Sequence, residues 1–305
     1  MMEQIRLENE HLQIDILPAL GTKICSLINK KTGKQWMDRP EGRGEFREPC
    51  YGSLWEEWDR CGWDELFPSI DSCSFPVAPW QHVQIPDHGE VWALPWVCNK
   101  VSDLEMHAVV QGRSLPYRLE KKMVLKGSQV LFSYRLTNLS EHDMPYLWAP
   151  HPIIAATESM RICLPTSISQ IITTVSLDQR LGQWGTVKAW PAFIGEDGAK
   201  VDIDKMPARH SGVADKFYVM SPLQEGWCSV VEEATGERFT LIFDVKTVPY
   251  LAFWVNGGGW DDHYHLALEP ATGYLDNVSI AHGLNSCSVV PGGGVNEWAL
   301  TLEIS

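Results

Sequence analysis

The sequence predicts a mainly β protein made of large antiparallel sheets with few short helices, on three observations. Apolar residues alternate with polar ones at period two in segment after segment. No stretch keeps apolar residues at i, i+3, i+4 and i+7 long enough to face a core as a helix. The 24 glycines and 19 prolines supply turn formers for many short connections.

The first strand is read at Leu12, Ile14 and Ile16, alternating with Gln13 and Asp15 and ending at Pro18 and Gly21. A second apolar run from Ile24 to Ile28 ends in the turn-forming Lys30-Lys31-Thr32-Gly33-Lys34. Residues 117 to 137 read as two strands about a Lys126-Gly127-Ser128 turn. Trp227 to Glu232, Phe239 to Val245 and Tyr250 to Val255 follow, the first two joined by an Ala234-Thr235-Gly236-Glu237 turn. Further strands are read at 265 to 269 and 297 to 304. The least regular stretches, 38 to 100 and 176 to 215, mix Trp, Gly, Pro and charge, and long loops on a sheet scaffold are where sites usually form. No linker or repeat divides the chain, so 1–305 is read as a single domain.

The formal net charge of -14, spread without a basic cluster, argues against nucleic acid and against an anionic membrane surface. A neutral small molecule is the partner this surface accommodates, and nothing in the sequence sets an oligomeric state. The opening Met1-Met2-Glu3-Gln4-Ile5-Arg6 lacks a basic, then apolar, leader, and eight cysteines lie scattered without a C-x-x-C pair. Both suit a soluble protein of the cytoplasm with reduced thiols.

Three segments each set a His or carboxylate among apolar residues and turn formers: Pro86-Asp87-His88-Gly89-Glu90-Val91-Trp92, Trp148-Ala149-Pro150-His151-Pro152 and His265-Leu266-Ala267-Leu268-Glu269-Pro270. Two prolines stiffen the backbone around His151, and a Glu closing an apolar strand loses solvation, which raises its carboxyl toward the range of a working base. Taken singly, either residue is more simply read as satisfying buried backbone groups.

The order and spacing of these segments resemble the aldose 1-epimerase (galactose mutarotase-like) family. Pro86 to Trp92 is similar to its His-Gly segment, Ala149-Pro150-His151-Pro152 to its central His motif, and Leu266 to Gly273 to its Glu-Pro motif. The likeness extends to Gly21-Thr22-Lys23-Ile24-Cys25-Ser26-Leu27 near the start and to Pro291-Gly292 with Trp298 near the end. The resemblance implies a β-supersandwich that exchanges the α and β anomers of a free sugar without a cofactor. It implies that Glu269 takes the proton of the anomeric hydroxyl, that His151 protonates the ring oxygen, and that His88 hydrogen-bonds the reacting oxygens. Asp215 resembles the family's hydroxyl-binding acid.

The chain departs from that pattern where the family selects its sugar. No Arg follows Phe67-Pro68, Trp92 stands where sugar-phosphate relatives carry an Arg, and Ile153 replaces an aromatic after the central His-Pro. A non-phosphorylated sugar is therefore expected. Trp55, Trp58, Trp63, Trp92, Trp96 and Trp148 lie in or next to the site segments and are candidates for stacking on a pyranose face, and Asp64 for holding a hydroxyl.

Two other readings remain open from sequence. Gly257, then His263, His265 and Glu269, match the first half of a cupin metal motif, since His at i and i+2 on a strand share a face. The second half is absent, as no suitably spaced His follows Pro291-Gly292. A sandwich of this kind also serves non-catalytic carbohydrate-binding or regulatory modules.

Overall fold

A computed structural model describes residues 2–40, 46–220 and 222–305. Two antiparallel sheets account for most of it. The larger has ten strands, in spatial order Ile5–Glu8, Leu12–Leu17, Lys23–Asn29, Gly62–Leu66, Ala149–Ala155, Tyr264–Ala271, Tyr250–Gly257, Val213–Val219, Gln170–Ser176 and Val187–Ala189. The smaller has eight, and its centre is the hairpin of Tyr117–Lys126 and Gln129–Asn138 with the C-terminal strand Val295–Ile304 paired beside it. Among the described residues the helical content is a short α-helix, Val278–Gly283, and three 3-10 turns. Among the described residues no helix is long and apolar enough to cross a membrane.

The two sheets differ in how their sequence alternates. Along Tyr117–Lys126 every second residue is buried and the others are half-buried or exposed, as expected of a sheet with one face in water. Its turn is the expected one: Gln129 pairs with Lys126 across Gly127 and Ser128. In Gly62–Leu66, Val213–Val219 and Tyr264–Ala271 every position is buried. These strands have two covered faces.

One face packs on the smaller sheet. Trp63, Phe217, Phe253, Leu266 and Leu268 join Phe132, Leu119, Phe239 and Leu300 in one apolar core. Trp63 lies 5.1 Å from Phe132 between ring centroids and 6.2 Å from Phe239. Trp148 lies 4.6 Å from Tyr134 and donates its indole N–H to Glu65 at 2.8 Å. Glu65 is also an acceptor for Tyr134 at 3.0 Å and lies 2.7 Å from the Lys121 ammonium, all fully interior. Both tryptophans are 0% exposed, which corrects the expectation that they offer a face to a sugar. Period two decides this, because Trp63 points to the inter-sheet side of its strand.

The other face of the same strands is covered by loops from the 46–100 region and from 257–277. Asp64, His151, Lys216, Trp254, His265 and Glu269 all point to that side.

Candidate active site

The strand Ala149–Ala155 lies between Gly62–Leu66 and Tyr264–Ala271. Its register against the latter pairs Ile154 with Leu266 and Ala155 with His265. Carrying the same antiparallel count back along the strand sets His151 opposite Glu269, and their side chains meet: His151 Nε2 lies 3.8 Å from Glu269 Oε1. That is too long for a hydrogen bond. Glu269 Oε1 and His151 Nδ1 are both buried without a hydrogen-bond partner.

Lys216 completes the group. Its ammonium donates to Glu269 Oε2 at 2.8 Å and lies 2.9 Å from Asp276 Oδ1, which accepts the Tyr218 hydroxyl at 2.9 Å. Burial pushes the Glu269 carboxyl up, and the Lys216 charge opposes that push. Burial alone would lower Lys216, but Asp276 and Glu269 outweigh it and hold the amine charged. Burial, with the positive charge of His88 and Lys216 behind it, drives His151 well below the ordinary imidazole range.

His88 approaches from the other side on its own turn. Its φ is +58° and that of Gly89 is +72°, and a Cβ on residue 89 would come within 2.1 Å of the Phe67 carbonyl oxygen. Only glycine fits there. His88 Nδ1 lies 3.0 Å from Asp87 Oδ1, and burial, which would raise Asp87, is outweighed by its His88 contact, so Asp87 falls below the usual carboxylate range. Trp55 stacks on the His88 ring at 4.7 Å, meets the His151 ring edge-on at 4.9 Å and donates its indole N–H to Asp64 at 3.0 Å. The two imidazoles stand 5.4 Å apart.

These groups border a cavity of about 320 Å³ lined by His88, His151 and Lys216, by Trp55, Trp184, Trp254 and Trp260, and by Asp71, Asp87 and Asp276. The volume is in the range of small-molecule sites. Glu269 is 0% exposed and lies directly behind His151 and Lys216.

The residues singled out in the sequence thus divide. His151, His88 and Glu269, scattered over more than 180 positions, come together. Asp215 does not join them: it points with Phe217 and Val219 to the other side of its strand and is held by Arg180 at 2.6 Å. Its neighbour Lys216 has the cavity-facing position. Asp64 is on the site side but lies beneath Trp55, 2.6 Å from the Lys23 ammonium, and does not line the cavity. Trp92 likewise packs behind Trp55 with Ile153 and Ala267, its indole N–H on the Asp87 carbonyl at 3.1 Å. Of the tryptophans named from sequence Trp55 lines the cavity, and the rest of the aromatic lining comes from Trp184, Trp254 and Trp260. The signal for Lys216 was present as two adjacent charges, Asp215-Lys216, inside an apolar strand, which must serve opposite faces.

The half-motif of His263, His265 and Glu269 forms differently from the cupin expectation. Asp38, not Glu269, gathers with the two histidines, their ligand atoms within 4.8 Å of one another. Trp254 donates its indole N–H to His265 Nε2 at 3.0 Å, and an indole nitrogen can only donate. The His265 proton therefore resides on Nδ1, 3.3 Å from Asp38 Oδ2. A cation on Nδ1 would need that lone pair and would move the proton to Nε2, against the indole N–H. The donor set does not fit a metal.

No family model matches the sequence, and neither does any curated protein. Solved structures do match over the whole length. A galactose mutarotase-like protein from Lactobacillus casei is 17% identical, with 99% of this chain and 100% of that one covered at a TM-score of 0.70. A galactose mutarotase-like protein from Clostridium acetobutylicum is 15% identical, over 99% and 95% of the two chains, also at 0.70. An aldose epimerase homologue from C. elegans is 10% identical, over 100% and 99%, at 0.68. The chain shares the galactose mutarotase-like fold, and identities this low speak for fold alone.

Proposed function

We propose that the chain is an aldose 1-epimerase-type isomerase that exchanges the α and β anomers of a free, non-phosphorylated sugar. The observation that carries the reading is the pair of Glu269 Oε1 and His151 Nε2, 3.8 Å apart, the carboxylate oxygen without a hydrogen-bond partner, directly behind or at the wall of an aromatic-lined cavity.

Anomer exchange needs one group to take the proton of the anomeric hydroxyl and another to give a proton to the ring oxygen. The C1–O5 bond breaks as the C1 carbonyl forms, the aldehyde turns about C1–C2, and closure on the other face runs the transfers backward. A hydroxyl entering between His151 and Lys216 meets Glu269 Oε1 as base, and His151 supplies the ring-oxygen proton. His88, stacked on Trp55, hydrogen-bonds the same oxygens. The four cavity tryptophans suit the C–H faces of a pyranose. Asp71, Asp87 and Asp276 in the lining make a phosphate or carboxylate substrate costly.

Ring opening must pass through the state in which the pair's one proton is on His151 and Glu269 is ionised. Burial opposes both halves of that state, raising Glu269 and lowering His151. The enzyme therefore depends on a counter-charge to keep Glu269 a carboxylate, and Lys216 is in contact with it.

Polarimetry of freshly dissolved aldoses tests the reading. Purified protein should accelerate mutarotation of at least one neutral aldose, and Glu269→Gln should lose on the order of 10²–10⁴ of that rate. Treatment with EDTA should leave turnover unchanged, since His265 of the Asp38–His263–His265 group spends its Nε2 lone pair on Trp254 and carries its proton on Nδ1. Sugar binding without turnover would sink the proposal and support a carbohydrate-binding module.

A further inference from the structure

We infer that Lys216 is the positioning residue of the base: it grips Glu269 by Oε2, leaves Oε1 as the atom that takes the proton, and turns its remaining N–H toward the sugar. The inference rests on the isomerase reading and names a residue that neither the sequence motifs nor the fold comparison assigns.

An ammonium has three donors. Two are spent, on Glu269 Oε2 at 2.8 Å and Asp276 Oδ1 at 2.9 Å. The third remains, and Lys216 lines the cavity while Glu269 does not. Any sugar oxygen that approaches Oε1 must pass beside Nζ. A buried carboxylate with one unpartnered oxygen survives only if its charge is balanced close by, and Lys216 is the cation in contact with it.

The lysine is itself held. Asp276 anchors Nζ and is steadied by the Tyr218 hydroxyl from two residues along the same strand. Across the strand Lys216 pairs with Trp254, which lines the same cavity. The titratable groups facing this centre are His151 on the neighbouring strand, His88 on the loop side, His265 and Asp276 on the flanking elements, and Asp71 and Asp87 at the wall. Among them only Lys216 touches Glu269 with full positive charge. An oxygen at the reacting carbon gains negative character as its proton leaves, and a fixed N–H beside it stabilises that charge without reorganisation.

The test compares Lys216→Met, Lys216→Gln and Lys216→Arg with the parent. Loss of the charge should lower kcat on the order of 10²-fold with KM little changed, and move the acid limb of the kcat/KM profile to higher pH. Lys216→Arg should restore the acid limb while recovering only part of kcat, because a planar guanidinium cannot reproduce the three-way geometry. In protein labelled with 13C at Glu side-chain carboxyls, the Glu269 signal should titrate at higher pH in Lys216→Gln than in the parent. A folded Lys216→Met or Lys216→Gln with kcat within a few fold of the parent and an unmoved acid limb would overturn the inference. Should the parent exchange no anomers at all, the isomerase reading fails by itself, and the Glu269 titration still decides whether Lys216 holds the carboxylate: an unshifted signal refutes it.

Discussion

Replacing Trp148 with Phe separates a core tryptophan from a sugar platform. Trp148 is 0% exposed, and its indole N–H donates to Glu65 at 2.8 Å, so the substitution strips one donor from a carboxylate that is itself 0% exposed. A hydrogen bond to a buried charge is worth about 1.5–3 kcal/mol. The missing half of the indole leaves a void beside Tyr134 and Trp298, which adds about 1 kcal/mol. Glu65 retains Tyr134 at 3.0 Å and Lys121 at 2.7 Å, so the pair does not collapse and the loss stays near 2.5–4 kcal/mol. That is a large share of the roughly 5–15 kcal/mol that holds an ordinary domain. Urea unfolding should show the midpoint falling at unchanged slope, while KM for any sugar turned over stays as in the parent. A shift below about 0.5 kcal/mol together with a raised KM would show that Trp148 faces the ligand and that the assignment of strand faces is wrong.

Two further changes probe the site. Gly89→Ala forces a Cβ onto a residue at φ +72° and within 2.1 Å of the Phe67 carbonyl oxygen. The left-handed conformation alone costs about 1–2 kcal/mol. Because backbone must also yield, His88 should shift and turnover fall with the urea midpoint; a variant as stable and active as the parent would refute the turn geometry. For His151, 1H–15N NMR should find a neutral imidazole as pH falls through 6.5, the ordinary value. With the folded pKa depressed, the stability linked to this residue is fully present above 6.5 and is lost as pH falls through the folded value. A His151 titration at or above 6.5 would contradict the buried, cation-flanked environment.

Much of the site was legible because strands have a simple period and because His151, Glu269 and His88 each stand in a distinctive local setting. Glu269 is the lone carboxylate in an apolar run, His151 is bracketed by prolines, and His88 precedes a glycine that nothing else can replace. Those are local facts and survive without knowledge of the partner strands. The tryptophans were not separable in that way. Trp63 stands between Gly62 and Asp64 and Trp254 between Phe253 and Val255, and both strands are covered on each side, so neither pattern says which side holds solvent-filled space.

The sequence by itself determined that the chain folds as antiparallel sheets and which side chains of each strand share a face, because period two follows from covalent geometry alone. Tertiary structure decided which face looks onto the smaller sheet and which onto the loops. It sent Asp215 to Arg180 and Lys216 to Glu269, though the two are neighbours in the chain. It also drew Asp38 rather than Glu269 to the two histidines. The physical reason is that burial on both faces erases the polar–apolar contrast by which a sequence tells inside from outside. Only the register between Ala149–Ala155 and Tyr264–Ala271, a long-range pairing, sets His151 opposite Glu269.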